Sequence, residues 1–525
     1  MLNGTSLYSG YVHERPKTNW SSKEFIKENL IRTNFGSASL RGGGIPVISD
    51  GKTGYIDSSD NHVAIFGTSG FKKSLAVYMP LICILASAGE NFFVTDPKGE
   101  LYERTANYVK SLGYRIRVIN LRDHNGECYN PLYYPAKLYA EGDTDRASIM
   151  LSNIIDILSR RHTERESLDP FWPETAKTYI SGVIHLMINS FPKIDAVNLL
   201  NLADSFIDSS AGTLKILFDD YPLNKSAVTN IKMVLSEPDK TRQCTLATAS
   251  SFIQPFIQND KVCREICSNT FELDELTREK TAFYVITDDT STAFNPIVSV
   301  MISQLQNILI DSAFHSKGGK LGTRVNFILD EFCSFPLPNI CEALATHRSR
   351  NIRYFLCIQS IDLLEKVYGN YQSILTNCAT SLFLGSSEMK LLEEISARCG
   401  TTTMNSNEIA MPLISVSELM TLKKTWETKE MLYLNTSLPA RYCTVVPAIE
   451  GYGCFSGYGK AQLPDIKHPE VCSYRVCDLL DEFEEGEIDI PFANDTPRFA
   501  GRKEKTTREY ADFRPRRSKK YKSIL

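Results

Sequence analysis

The chain has 525 residues, with 58 basic and 62 acidic side chains and a formal net charge of −4. That length carries a soft prior of about three domains, and a hydrophobic share of 42% beside 23% charged residues is the balance of a globular protein rather than a disordered or fibrous one. A charge this near zero excludes a global basic field, so any contact with nucleic acid has to be local.

Residues 1–39 read as a polar lead with one short helix over 22–32, and no apolar segment of a signal peptide opens them. Gly-rich turns and a hairpin rhythm follow: Ile45-Pro-Val-Ile-Ser, then Asp50-Gly51, then Tyr55-Ile56. A buried strand over 62–66 then runs into Gly67-Thr-Ser-Gly-Phe-Lys-Lys-Ser74 and an apolar, helix-length run over 75–88. Strand, octet and helix are the context of a phosphate-binding loop, G-x-x-x-x-G-K-[ST]. Gly67, Lys73 and Ser74 fall in register, and Lys72 stands where the pattern has its second glycine.

In such a loop the backbone N–H groups of Gly67, Thr68, Ser69, Gly70, Phe71 and Lys72 would face phosphate oxygens, helped by the helix N-terminus. Lys73 would reach the terminal phosphates of ATP, and Ser74 would coordinate Mg²⁺. Lys72 brings a long side chain to a place where glycine allows close approach and any φ, so weakened or altered nucleotide handling is expected. An ordinary Gly/Ser/Lys turn is the alternative. Pro80, inside the following helix, predicts a kink near its second turn.

Further on, a strand over 92–95 ends in Asp96-Pro-Lys98-Gly-Glu100, then come a helix over 101–112 and a strand over 115–121. This β-α-β-α-β alternation predicts an α/β fold with a mostly parallel, doubly wound sheet. Asp96 and Lys98 fall where the end of the second strand faces the nucleotide crevice, although Asp-Pro and Lys-Gly also suit a plain turn.

From about 139 to 278 strand signals nearly vanish. Helical patterning over 145–161, 175–189, 194–206, 212–218 and 223–235 predicts an all-α insertion, with Phe171 and Trp172 as its core anchors rather than base-stacking platforms. Alternation resumes with a strand over 282–287 and a helix over 296–316. Arg324-Val-Asn-Phe-Ile-Leu-Asp330-Glu331-Phe332 is then a buried strand ending in two acids. Asp330 suits the holding of Mg²⁺, and Glu331 the orienting of an attacking water; an N-cap pair opening a helix is the alternative. Further strands are expected over 354–358, 381–384 and 442–446.

The longest apolar run, 75–88, is shorter than the roughly 20 residues a bilayer requires, so a soluble chain without a transmembrane segment is expected. The 14 cysteines are scattered without a matching His/Cys set, which favours reduced core thiols over structural zinc. About seven acids crowd 478–489, and 501–525 carry roughly seven net positive charges. That basic end suits DNA, anionic lipid or an acidic partner, or is simply solvated. The expected division is a lead and hairpin (1–60), a nucleotide-binding domain in two parts (61–140 and 280–465), an all-α domain (141–279), and a disordered acidic-then-basic tail (466–525).

Taken together the motifs resemble the TraG/TraD group of type IV secretion coupling proteins, the conjugative DNA-transfer ATPases. The matching pieces are the octet at 67–74, Val94-Thr-Asp-Pro-Lys-Gly-Glu-Leu101, Tyr129-Asn-Pro-Leu132 and Asp169-Pro-Phe-Trp172. Ile328-Leu-Asp-Glu-Phe332, Thr346-His-Arg-Ser-Arg350 and Ile358-Gln-Ser360 continue them in family order. The resemblance covers about two-thirds of the chain and implies a RecA-type P-loop domain interrupted by an all-α domain, working as a homo-hexameric ring. It implies that Gln359 senses the γ-phosphate and that Arg348 or Arg350 enters a neighbouring subunit's site. It further implies single-stranded DNA, relaxase proteins and membrane-side components of the secretion channel as partners. The protein would be cytoplasmic and peripheral at the inner face of the membrane. Many relatives open with transmembrane helices, whereas none is expected in this sequence, and Phe71 and Lys72 depart from the usual small residue and glycine. A non-hydrolysing substrate-docking adaptor of the same fold is therefore the alternative to a DNA-translocating motor.

Overall fold

The computed structural model describes residues 20–501 apart from 38, 69, 164–168, 211, 215–224, 289, 404–409, 423–428, 447 and 485–496. Ser69, most of the helix expected over 212–218, the end of the acidic run and nearly all of the basic tail therefore lie outside the described residues. Strands are numbered in chain order: β1 Ile31–Asn34, β2 Ile45–Ser49, β3 Thr53–Asp57, β4 Val63–Gly67 and β5 Asn91–Asp96. β6 Arg115–Asn120, β7 Thr281–Ile286, β8 Val325–Leu329, β9 Ile352–Ile358 and β10 Thr380–Gly385 follow. The last are β11 Thr401–Thr403, β12 Ala410–Pro412, β13 Lys429–Asn435 and β14 Leu438–Val445. The chain divides into two units, Met1–Ala88 with Tyr354–Gly457, and Gly89–Arg353 with Tyr458–Leu525.

In the first unit the strand order is β14-β13-β10-β4-β9. β10, β4 and β9 run parallel, with Phe66 opposite Ile358 and Gly67 opposite Gly385. β13 and β14 turn antiparallel at the edge. Every residue of β4 and β10 is buried, which is why they read as continuous apolar runs rather than alternating ones. The hairpin β2–β3, with β1 beside β3, forms a separate three-stranded sheet. Its turn is fixed by the Asp50 carboxylate, which accepts from the backbone N–H groups of Lys52 and Thr53 at 2.8 and 2.7 Å and is held below the usual carboxylate range by those bonds.

The apolar run after β4 is helical but not uniformly so. Ser74–Tyr78 is a π-helical turn, and an α-helix, Met79–Ser87, continues from it. Pro80 sits in the first turn of that α-segment, where its missing N–H matters least. The irregularity thus falls just before the proline rather than at a kink after it.

In the second unit the strand order is β8-β5-β7-β6, all parallel. Aromatic side chains fill its core, with the rings of Phe93 and Phe327 5.8 Å apart and Tyr102 edge-on to Tyr284 at 5.5 Å. At the strand starts the buried Arg353 guanidinium donates to Asn326 and Glu90, both at 2.9 Å, so a buried charge is paired as burial requires. Between β6 and β7 no strand is described. The helices Thr144–Thr163, Phe171–Ser190, Leu199–Ser210 and Lys225–Leu235 are present. The sequence reading lacks four others described there, Tyr133–Ala140, Asp239–Ile253, Asp260–Cys267 and the single turn Glu275–Arg278. Phe171 is 46% exposed, so it is not a core anchor, and Trp172 is half-buried, its ring edge-on to that of Phe171 at 5.1 Å.

Several other expectations need correcting. The early helix is short, Lys23–Asn29, because Ile31–Asn34 pairs with β3. β13 was missed altogether. The tail is ordered over 466–484: its helix Val476–Glu484 buries Val476, Leu479, Leu480 and Phe483. The preceding residues run across the second unit, where Ala461 N donates to Glu103 O at 2.7 Å. Asn198 and Asn201 both donate to Cys472 O, at 3.0 and 2.9 Å. Among the described residues one helix, Asn295–His315, is long and apolar enough to cross a membrane, and 61% of its apolar window is buried.

Candidate functional site

The octet after β4 makes a tight loop whose shape rests on two left-handed residues. Gly70 has φ +84° and Lys72 φ +57°. Lys72 therefore adopts the conformation that a glycine would take there freely, at a cost of roughly 1–2 kcal/mol for an L-residue, and its side chain is exposed. The obstruction expected of Lys72 is thus mainly a backbone cost. Lys73 is 8% exposed, and its Nζ donates to the carbonyls of Gly67 at 2.6 Å and Thr68 at 3.3 Å. The Lys73 stem lies against Gly67, where a Cβ would come within 3.2 Å of Cγ and Cδ. Ser74 opens the helical run.

β10 holds the other side of this loop. Thr68 N donates to Gly385 O at 3.2 Å. The Phe71 ring occupies the space above Gly385 so closely that a Cβ there would lie 2.0 Å from Cε1. The Lys429 ammonium stands 5.3 Å from the Phe71 ring centroid and donates to Leu384 O at 2.6 Å. Gln359 follows β9 directly, one step past the Phe66–Ile358 pairing, which brings it beside the start of the loop; it is half-buried. The next residue, Ser360, caps the helix Ile361–Tyr368 by accepting from Leu363 N at 3.1 Å. The Glu388 carboxylate accepts from the N–H groups of Ile361 and Asp362 at 3.0 and 3.1 Å, so this helix start already has its anion.

In the second unit Asp96 ends β5 and Asp330 directly follows the adjacent parallel strand β8, and Thr95 Oγ1 donates to Asp330 O at 2.8 Å. Asp96 is 2% exposed and accepts from Tyr102 N at 2.8 Å, near the start of the helix Glu100–Ser111. Burial pushes its carboxyl up to about 7 despite these backbone bonds, with a further contribution from the nearby Asp330. Asp330 is buried, and its carboxylate accepts from Glu331 N at 3.0 Å. Glu331 is half-buried with φ +55°, a left-handed glutamate of the kind found where a site holds backbone strain. Lys98 is exposed, and its carbonyl accepts from Arg122 at 3.1 Å.

The two arginines differ. Arg350 is half-buried and donates to Gly319 O at 2.7 Å, which gives it a local structural task. Arg348 is exposed at the start of the same short turn. Within the first unit the structure gathers Gly67, Thr68, Gly70, Phe71, Lys72, Lys73, Ser74 and Gln359 at one strand end. Within the second it gathers Asp96 and Asp330, with Glu331 next in chain. Lys429, Gly385 and Glu388 escaped the sequence reading, since each acts through a neighbour remote in the chain.

Residues 16–430 match a family model described as type IV secretory system conjugative DNA transfer. Two curated relatives, both a conjugal transfer protein TraG of Escherichia coli, are 24% identical. One match spans 448 residues, 78% of this chain and 67% of the relative; the other spans 388 residues, 69% and 58%. Among solved structures the plasmid coupling protein TrwB with the ATP analogue ADPNP superposes with a TM-score of 0.56 at 14% identity, covering 87% of this chain and 96% of that one. TrwB with ADP and Mg²⁺ gives 0.52 at 13% identity, covering 86% and 95%. At such identity these likenesses establish the fold, a TrwB-like α/β architecture. With a match over most of its length and the motifs in order, the chain belongs to the conjugative DNA-transfer family of type IV secretion coupling proteins, the TraG/TraD group.

Proposed function

We propose that this coupling protein binds ATP with Mg²⁺ at the loop 67–74 and uses hydrolysis to pass relaxase-bound single-stranded DNA into a type IV secretion channel. The observation that carries this reading is Lys73, a buried ammonium whose hydrogen bonds go to two neutral carbonyls of its own loop. Exchanging those neutral carbonyls for anionic phosphate oxygens keeps the hydrogen bonds and adds the attraction of opposite charges. The loop fits a polyphosphate in a second respect: it precedes a long helical run whose first N–H groups favour anions.

In this reading the N–H groups of Gly67, Thr68, Ser69, Gly70, Phe71 and Lys72 bind phosphate oxygens, and Lys73 holds the terminal phosphates. Ser74 and Asp330 hold the metal, which when bound neutralises charge on the phosphate oxygens. Glu331 takes the proton of the attacking water, and Gln359 orients the γ-phosphate end. Arg348, exposed where Arg350 is half-buried and bonded to Gly319 O, is the better of the two to reach a neighbouring subunit's nucleotide in a hexamer. Asp96 stays behind the strand end as a capping acid, and Lys98 adds an exposed cation. DNA is gripped by charge and stacking without sequence preference. The protein acts peripherally at the inner face of the membrane, through channel components there.

ATP turnover of the full chain, with and without single-stranded DNA, against Glu331→Gln tests this. DNA-stimulated turnover that the variant loses is expected. Turnover equal in the two proteins would instead favour a docking adaptor that does not hydrolyse ATP.

A further inference from the structure

The two departures from the usual loop pattern, Phe71 and Lys72, are adjacent, and the structure gives them a common explanation. An L-residue at φ +57° relaxes unless its surroundings over-determine it. Beside Lys72, the Phe71 ring is fixed sideways onto the end of β10, in the space that only glycine at 385 leaves open. Above the ring lies the Lys429 ammonium, fully buried and anchored on Leu384 O at 2.6 Å. A cation over an aromatic face gains most when both are withdrawn from water. Thr68 N, bonded to Gly385 O, ties the loop's first turn to the same spot.

We infer that Lys429, acting through Phe71, is a positioning residue for the phosphate loop and holds Lys72 in the left-handed conformation that glycine would otherwise supply. The inference rests on the nucleotide-binding reading for its consequence, but the clasp itself exists without nucleotide. β13, second from the edge of the sheet, thereby controls the shape of a loop two strands away, and the polyphosphate affinity of that loop depends on a residue that does not touch the phosphates.

The test uses the full chain and two readouts: hydrogen exchange of the backbone amides over 68–76 without nucleotide, and affinity for a fluorescent N-methylanthraniloyl-ATP with Mg²⁺. Phe71→Ala and Lys429→Met should each speed loop exchange and weaken the analogue about tenfold, with the double variant no worse than the stronger single one. Phe71→Leu keeps bulk over Gly385 without a π face and should behave like Lys429→Met, whereas Lys429→Arg keeps the cation and should stay near the parent. In a Lys72→Gly background the losses should shrink to about twofold, because glycine adopts the conformation unaided. Unchanged loop exchange in both single variants, additive losses, or losses undiminished by Lys72→Gly would each overturn the inference. Should exchange respond as described while no variant, nor the parent, binds the analogue, the clasp stands and the nucleotide reading falls.

Discussion

Asp96→Asn is expected to stabilise the protein, and increasingly so as pH rises. Asp96 is almost wholly buried at the end of β5, beside Asp330, and its carboxyl is pushed up to about 7 from an ordinary 3.8. Below 3.8 the folded and unfolded chains both hold the proton, and the group costs nothing. Between 3.8 and 7 the unfolded chain ionises while the folded one does not, so stability falls by about 1.4 kcal/mol per pH unit. Above 7 the full difference, about 4 kcal/mol, is lost. Asparagine keeps a carbonyl oxygen for the Tyr102 N–H, so the capping bond survives, but it carries no charge to bury. The variant's advantage should therefore widen by about 2–3 kcal/mol between pH 5 and pH 8. Scanning calorimetry of both proteins at pH 5, 6, 7 and 8 measures it. Melting curves whose separation stays constant or narrows with pH would refute the reasoning, since a lost capping bond alone has no such dependence.

The left-handed backbone at Glu331 makes Glu331→Gly stabilising by about 1 kcal/mol, while DNA-stimulated ATP turnover disappears; thermal unfolding and a phosphate-release assay read the two effects separately. Arg350→Ala removes a charge-assisted bond to Gly319 O and should cost about 1.5–3 kcal/mol in a denaturant titration. Arg348→Ala, at an exposed position, should leave stability unchanged and lower turnover only under conditions where the protein assembles. Leu480, 1% exposed in the helix Val476–Glu484, should cost about 2–5 kcal/mol when changed to Ala; a null effect would mean that this helix is not part of the second unit's core.

What the sequence showed and what it hid divide along physical lines. The parallel strands β4, β5, β7 and β8 are buried on both faces and so appear as uninterrupted apolar runs, legible from local composition. β13 is antiparallel to both its neighbours, β10 and β14, and its sequence, Lys-Glu-Met-Leu-Tyr-Leu-Asn, has polar ends that disguise a buried middle. With β13 unread, Lys429 had no reason to be placed over Phe71. The role of Asp96 was hidden for a different reason: its partner, Tyr102 N, lies six residues on, beyond a left-handed Gly99 that brings the helix start back to the strand end.

In the tail a count of charges conceals a helix that the spacing of the apolar residues reveals. Acids crowd 478–489, a composition that opposes a core if side chains are tallied without regard to direction. Yet Val476, Leu479, Leu480 and Phe483 recur at i, i+3, i+4 and i+7, one face of a helix, and that face is the buried one. The acids sit on the remaining faces: Asp478 is exposed, and Glu482 meets Arg498 at 2.7 Å. A helix needs only one apolar stripe to pack, so its net charge measures the solvent side and says nothing of the stripe.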